Sequence, residues 1–126
     1  MVYDAESAPP AEAWLAAAEQ ERLRAVEAHH ARLAVHARMP HPRLHAALHV
    51  VVEGQLAAGE PPEVRRALDR LVAGGLTRHE ALHAIGLLVA NATTAALEGR
   101  TFDARVYAQE LDALTVEGWR RLPAGG

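Results

Sequence analysis

The chain contains no cysteine. Disulfides, thiolate zinc sites, iron–sulfur clusters and cysteine nucleophiles are therefore all excluded together. Lysine is also absent, so its 13 cationic side chains are all arginine; against 16 carboxylates they leave a formal charge of -3. No basic field exists to attract a phosphate backbone, and nucleic acid is not an expected partner. No unbroken apolar run approaches the roughly 18 residues that span a bilayer. The first residues are acidic (Asp4, Glu6) rather than the basic start of a signal peptide. The expectation is a cytoplasmic protein with no membrane partner. Aromatic residues make up only 4% while half the residues are hydrophobic, mostly small or aliphatic. That balance favours closely packed helices over sandwiched strands.

The punctuation of the chain predicts a single all-α domain over residues 1–126, a bundle of about five helices. Residues 1–8 and 123–126 read as loose ends. Pro9 and Pro10 open a long helix from 11 to about 38, which Pro40 and Pro42 terminate. A second helix runs from about 44 to 57 and stops at Gly59. Pro61 and Pro62 start a third, ending at Gly74-Gly75. Thr77 caps a fourth, with Glu80 three residues later completing a capping box, and it extends to about 97. Asp103 caps a fifth running to about 122. The loops are short, so neighbouring helices are expected to be antiparallel. Trp14, Trp119 and Leu122 near the ends leave a homodimer open.

Eight histidines are many for 126 residues, and their helical phase matters more than their number. In the first helix His30 lies within the stripe Leu23, Val26, Leu33 and Ala37, with His29 and His36 on its flanks as solvated residues. In the second, His45 and His49 share a face with Leu48, Val52 and Leu56, and Glu53 borders it. In the fourth, His79 and His83 share a face with Gly86 and Ala90, two small residues that let another backbone come close. His41, between two prolines, reads as a loop residue. Five imidazoles (His30, His45, His49, His79 and His83) are thus expected to point inward, with Glu27, Glu53 and Glu80 within a turn of them.

A buried polar group without a partner costs about 1–3 kcal/mol. Five would cost on the order of the whole stability of a domain. The imidazoles therefore pair with one another and with carboxylates, or they hold metal. The i,i+4 pairs His45/His49 and His79/His83 place both rings on one face, where they can converge on one ion. Glu27/His30 and Glu80/His83 have the Glu-x-x-His spacing of carboxylate-bridged dimetal bundles. The expected ligands are His30, His45, His49, Glu53, His79 and His83, holding one or two divalent ions, iron or zinc, with the substrate undefined. Residues 79–83 also spell HExxH. That pattern makes Glu80 the candidate general base of a compact zinc hydrolase, with Glu98 as a third ligand. The third reading is a metal-free interaction module whose buried His/Glu network fixes the fold.

These pieces resemble a known family. His29-His30-Ala31-Arg32-Leu33, Pro42-Arg43-Leu44-His45-Ala46-Ala47-Leu48-His49, Glu53-Gly54-Gln55 with Pro61-Pro62, and Arg78-His79-Glu80-Ala81-Leu82-His83-Ala84-Ile85-Gly86 occur in that order over residues 30 to about 114. Together they resemble the bacterial domain-of-unknown-function family eighteen forty-one, uncharacterised helical histidine-rich proteins. The resemblance implies that the histidines act as a unit and implies no reaction. His49/Glu53 with His79/His83 is also similar in ligand type to the pairs of hemerythrin bundles, a likeness of inventory alone.

Overall fold

The computed structural model describes residues 1–33 and 41–121. Among them are seven α-helices and no strand: α1 (Ala11–Ala16), α2 (Glu19–Ala31), α3 (Pro42–Ala58), α4 (Pro62–Ala73), α5 (Arg78–Leu97), α6 (Ala104–Ala113) and α7 (Val116–Arg120). His36 and Leu122, and the expected end of the first long helix, lie outside the described residues. α3 and α5 form the centre. α3 packs against α1, α2 and α5, while α4 packs against α5 and α6. The core comprises Val26, Ala46, Val52, Leu56, Val64, Leu68, Leu71, Leu82 and Ile85 with the partners they cover.

Several boundaries follow from local chemistry. Pro42 and Pro62 occupy the first turns of α3 and α4, where a missing N–H costs nothing. α3 ends at Gly59 with φ 72°, a left-handed conformation that other L-residues adopt only with strain. α5 begins with the predicted capping box: Thr77 Oγ1 accepts from Glu80 N–H at 3.1 Å, and Glu80 Oε1 accepts from Thr77 N–H at 3.0 Å. Asp103 caps α6 through Oδ1.

Two expected long helices are each divided. The first breaks at Ala17 and Ala18, both extended. The second breaks at Leu114 and Thr115, also extended. Neither break contains proline or glycine, so helix propensity gives no warning of it. An arginine caps the freed carbonyls at each break, a local one at the first and one from α4 at the second. At the first break Arg22 donates to the carbonyls of Ala17 and Leu15. At the second, Arg70 donates to the carbonyls of Leu111 and Leu114 at 2.6–3.0 Å. Each guanidinium satisfies C-terminal acceptors that a continuing helix would satisfy internally. Trp14, fully buried, locks α1 in place.

The N-terminal segment is not a loose leader. Tyr3 and Ala5 are buried, and Tyr3 packs against Trp14 with ring centroids 5.7 Å apart. Trp14 is thereby an interior residue rather than a docking surface. α5 is long and apolar enough to cross a membrane by length and mean hydropathy (1.3), despite lacking an unbroken apolar run. Its N-terminal half is interior here, with Ala81, Leu82, Ala84, Ile85 and Gly86 buried. A Cβ at Gly86 would meet Leu48 Cβ at 3.8 Å, ordinary contact, so the close approach does not require glycine there.

Arg70→Ala should destabilise the fold by about 1.5–3 kcal/mol, the scale of hydrogen bonds to a charged donor. Urea denaturation measures it; a loss under about 0.5 kcal/mol would contradict the role of Arg70 as a tertiary cap.

Candidate metal centre

Helical phase brings the five predicted imidazoles together. His30 comes from the last turn of α2, His45 and His49 from successive turns of α3, and His79 and His83 from the first two turns of α5. One ring nitrogen from each forms a set whose members all lie within 4.8 Å of one another. Neighbouring ring centroids are 4.4–5.2 Å apart, mostly edge to face. His30, His49 and His79 are buried, whereas His45 and His83 are half-buried. The Nε2 atoms of His45 and His83 are nonetheless themselves buried.

Partners on the outer side of two rings select their tautomers by hydrogen-bonding chemistry. His30 Nδ1 lies 2.8 Å from the carbonyl oxygen of Val26. A carbonyl only accepts, so Nδ1 carries the proton and Nε2 presents a lone pair. His49 Nδ1 lies 3.1 Å from the Tyr3 hydroxyl. That hydroxyl donates its single proton to Glu53 Oε2 at 2.5 Å. His49 Nδ1–H therefore donates to the tyrosine oxygen, and its Nε2 is also bare. In those tautomers His30 Nε2 and His49 Nε2, 3.1 Å apart, turn lone pairs toward each other.

Glu53 is 1% exposed and sits outside the set of converging nitrogens. Arg78 clamps it with two bonds, Nη1 to Oε2 at 2.7 Å and Nη2 to Oε1 at 2.8 Å. With both oxygens so held, Glu53 is the anchor of the Tyr3–His49 contact rather than one more converging donor. Glu80 is exposed and turned back into the capping box, so neither expected carboxylate joins the imidazoles. Glu27 pairs with Arg43 at 3.6 Å, and Glu98 with Arg100 at 2.9 Å. His41 is exposed at the start of α3, as the flanking prolines suggest.

His29 corrects the expectation of a solvated flank. It is buried, its Nε2 accepts the Ala5 N–H at 3.2 Å, and Tyr3 packs edge-on against it at 5.5 Å. Burial lowers its pKa. The N-terminal segment that covers it was not visible as structure in the sequence. Tyr3, Ala5 and Arg78 are thus contributors that periodicity does not reveal; the one signal was a tyrosine in a chain with only two.

Burial first, and then the nearby His30, His83, His45 and His79, push His49 far below the ordinary imidazole pKa. For Tyr3, burial and then the Glu53 charge push the phenol well above its usual value, so it stays protonated.

These features define a helical protein with a buried five-imidazole cluster. The family model for the domain of unknown function DUF1841 matches residues 18–113, and the chain belongs to that family. The match spans His30, His45, His49, Glu53, Arg78, His79 and His83 but not Tyr3. No curated protein and no solved structure matches the chain.

A depressed His49 pKa fixes the sign of one pH dependence. Between the folded value and about 6.5 the unfolded chain binds a proton that the native protein refuses. Stability of the metal-free protein is then full above pH 6.5 and falls below it. The slope is up to about 1.4 kcal/mol per pH unit from His49 alone. Chemical denaturation between pH 8 and 5 with a chelator present measures this; a midpoint constant over that range would contradict the buried neutral imidazole.

Proposed function

We propose that this protein binds one transition-metal ion through His30, His45, His49, His79 and His83, and that iron is the native metal. The observation that carries the reading is the approach of two bare nitrogens, His30 Nε2 and His49 Nε2, to 3.1 Å. Two lone pairs at that distance repel unless a cation lies against both. A proton is a poor candidate at neutral pH, because burial and four neighbouring imidazoles oppose it at His49. A metal ion fits. Two nitrogens each about 2.0–2.1 Å from one ion are separated by about 2.9 Å at a right angle and about 3.4 Å at a tetrahedral angle.

The dimensions favour one ion over two. Donors on opposite sides of a single ion are about 4.2 Å apart, and the five donor atoms here all lie within 4.8 Å of one another. Paired ions sit about 3.5–4 Å apart, and their outer donors would spread well beyond that. Five imidazoles also exceed the four donors of an ordinary closed zinc site. Nitrogen donors without sulfur suit iron, and the higher coordination number favours it over zinc. A bound ion would supply Lewis acidity or a change of oxidation state.

The hydrolase reading loses its base, since Glu80 faces Thr77 N–H and solvent. The metal-free module remains the opposing outcome. Elemental analysis of untagged protein should find about one equivalent of iron. His49→Ala should reduce bound metal to under about a tenth of an equivalent. One equivalent of zinc in place of iron would overturn the iron assignment and keep the site. No metal as purified, and none after anaerobic reconstitution, would overturn the reading. Glu80→Gln should keep its full metal complement and lose at most about 1 kcal/mol, the scale of a helix cap; loss of metal in that variant would make Glu80 a ligand.

A further inference from the structure

We infer that Tyr3 is a positioning residue for the metal centre: delivered by the N-terminal segment, it couples the Glu53–Arg78 ion pair to His49 and holds that ring with Nε2 bare and aimed into the cluster. The inference rests on the metal reading above and extends it to residues that touch no ion.

The arrangement is a single connected chain. Arg78 holds Glu53 with two short bonds. Glu53, with both oxygens engaged and 1% exposed, accepts the Tyr3 proton. The tyrosine oxygen can then only accept from His49 Nδ1–H. Removing the hydroxyl would leave the Nδ1–H without that acceptor, and the ring would lose both its fixed tautomer and one anchor. Imidazoles that bind metal usually donate their other N–H to a carboxylate or carbonyl, and loss of such a partner typically costs 10–100-fold in affinity. Here a phenol stands between imidazole and carboxylate. His30 uses the simpler device, its own helix carbonyl at Val26.

The segment that brings Tyr3 is tied to the same helices as the cluster. Ala5 N–H donates to His29 Nε2 at 3.2 Å, and Arg78 Nη1 donates to the Ala5 carbonyl at 3.0 Å. His79 N–H donates to Glu6 Oε1 at 3.2 Å. Arg78 thus serves both ends, gripping the segment backbone and the carboxylate under it. Tyr3 itself is 2% exposed, wedged against Trp14, His29 and His49. Residues 1–17 lie outside the family match, so the chain meets an internal need of the matched helices from beyond their boundary.

The test uses the full-length chain and cobalt(II) as the probe, with affinity read by chelator competition and visible absorption. Tyr3→Phe should weaken cobalt binding 10–100-fold. Tyr107→Phe is the control: it removes another buried tyrosine's hydroxyl, one that bonds to Gln55 at 2.9 Å rather than to a cluster histidine, and should change affinity less than twofold. The second measurement needs no variant. Long-range nitrogen–proton NMR of the metal-free wild type should show His49 protonated on Nδ1 and bare on Nε2. Tight cobalt binding by wild type with Tyr3→Phe within twofold of it would overturn this inference and leave the metal site standing. A wild-type His49 protonated on Nε2 would also overturn it. No cobalt uptake by wild type would overturn the metal reading and this inference with it.

Discussion

Five imidazole nitrogens gathered within 4.8 Å of one another, on the inner ends of three helices, are the constraint around which the molecule is arranged. Neutral imidazoles attract one another weakly. With the tautomers that Val26 and Tyr3 select, the donor protons of His30 and His49 turn outward and their lone pairs meet. In a low-dielectric interior such a contact is unfavourable alone and strongly favourable around a cation, because no water competes for the charge. The packing of α2, α3 and α5 has to hold the rings against that repulsion. These helices carry small buried residues, Ala46, Ala81 and Ala84, and branched ones, Val26, Val52 and Ile85, in the core they share with the rings.

The outer contacts matter as much as the inner ones. A ring that can flip or change tautomer is a poor ligand, since the energy of fixing it is subtracted from binding. His30 is fixed within its own helix, through the carbonyl one turn earlier. His49 is fixed over long sequence distances, by a tyrosine from the N-terminal segment and a carboxylate from its own helix, with an arginine from α5 behind them. The Glu53–Arg78 pair is almost fully buried, a costly arrangement unless its hydrogen bonds are complete. Here Arg78 and Tyr3 use both carboxylate oxygens, and the second Nη1 proton of Arg78 goes to the Ala5 carbonyl at 3.0 Å. The same pair therefore closes the core and orients a ring of the cluster.

How much of this could be read in the sequence follows from the range of each interaction. The five converging histidines were legible, because i,i+4 spacing and helical phase are local properties. The capping box at Thr77 and Glu80 and the stop at Gly59 were legible for the same reason. The fate of the carboxylates was not. Glu53 borders the histidine face, and only the arrival of Arg78 and Tyr3 decides that it anchors rather than joins the cluster. Glu80 satisfied two local patterns, HExxH and the capping box, and the backbone N–H one turn away claimed it. The helix breaks at Ala17 and Leu114 were hidden because neither contains proline or glycine, and the arginines that cap the freed carbonyls, Arg22 and Arg70, leave no periodic signal. Tyr3 and His29 were hidden because residues 1–8 carry no periodicity, and their order comes entirely from docking.

Anomalous diffraction from crystals of the iron-loaded protein, recorded on both sides of the iron absorption edge, bears most directly on the central claim. One anomalous peak is expected among His30, His45, His49, His79 and His83, within about 2.0–2.3 Å of their nitrogens. Two peaks, or one peak lying against Glu27, Glu80 or another surface carboxylate, would contradict it.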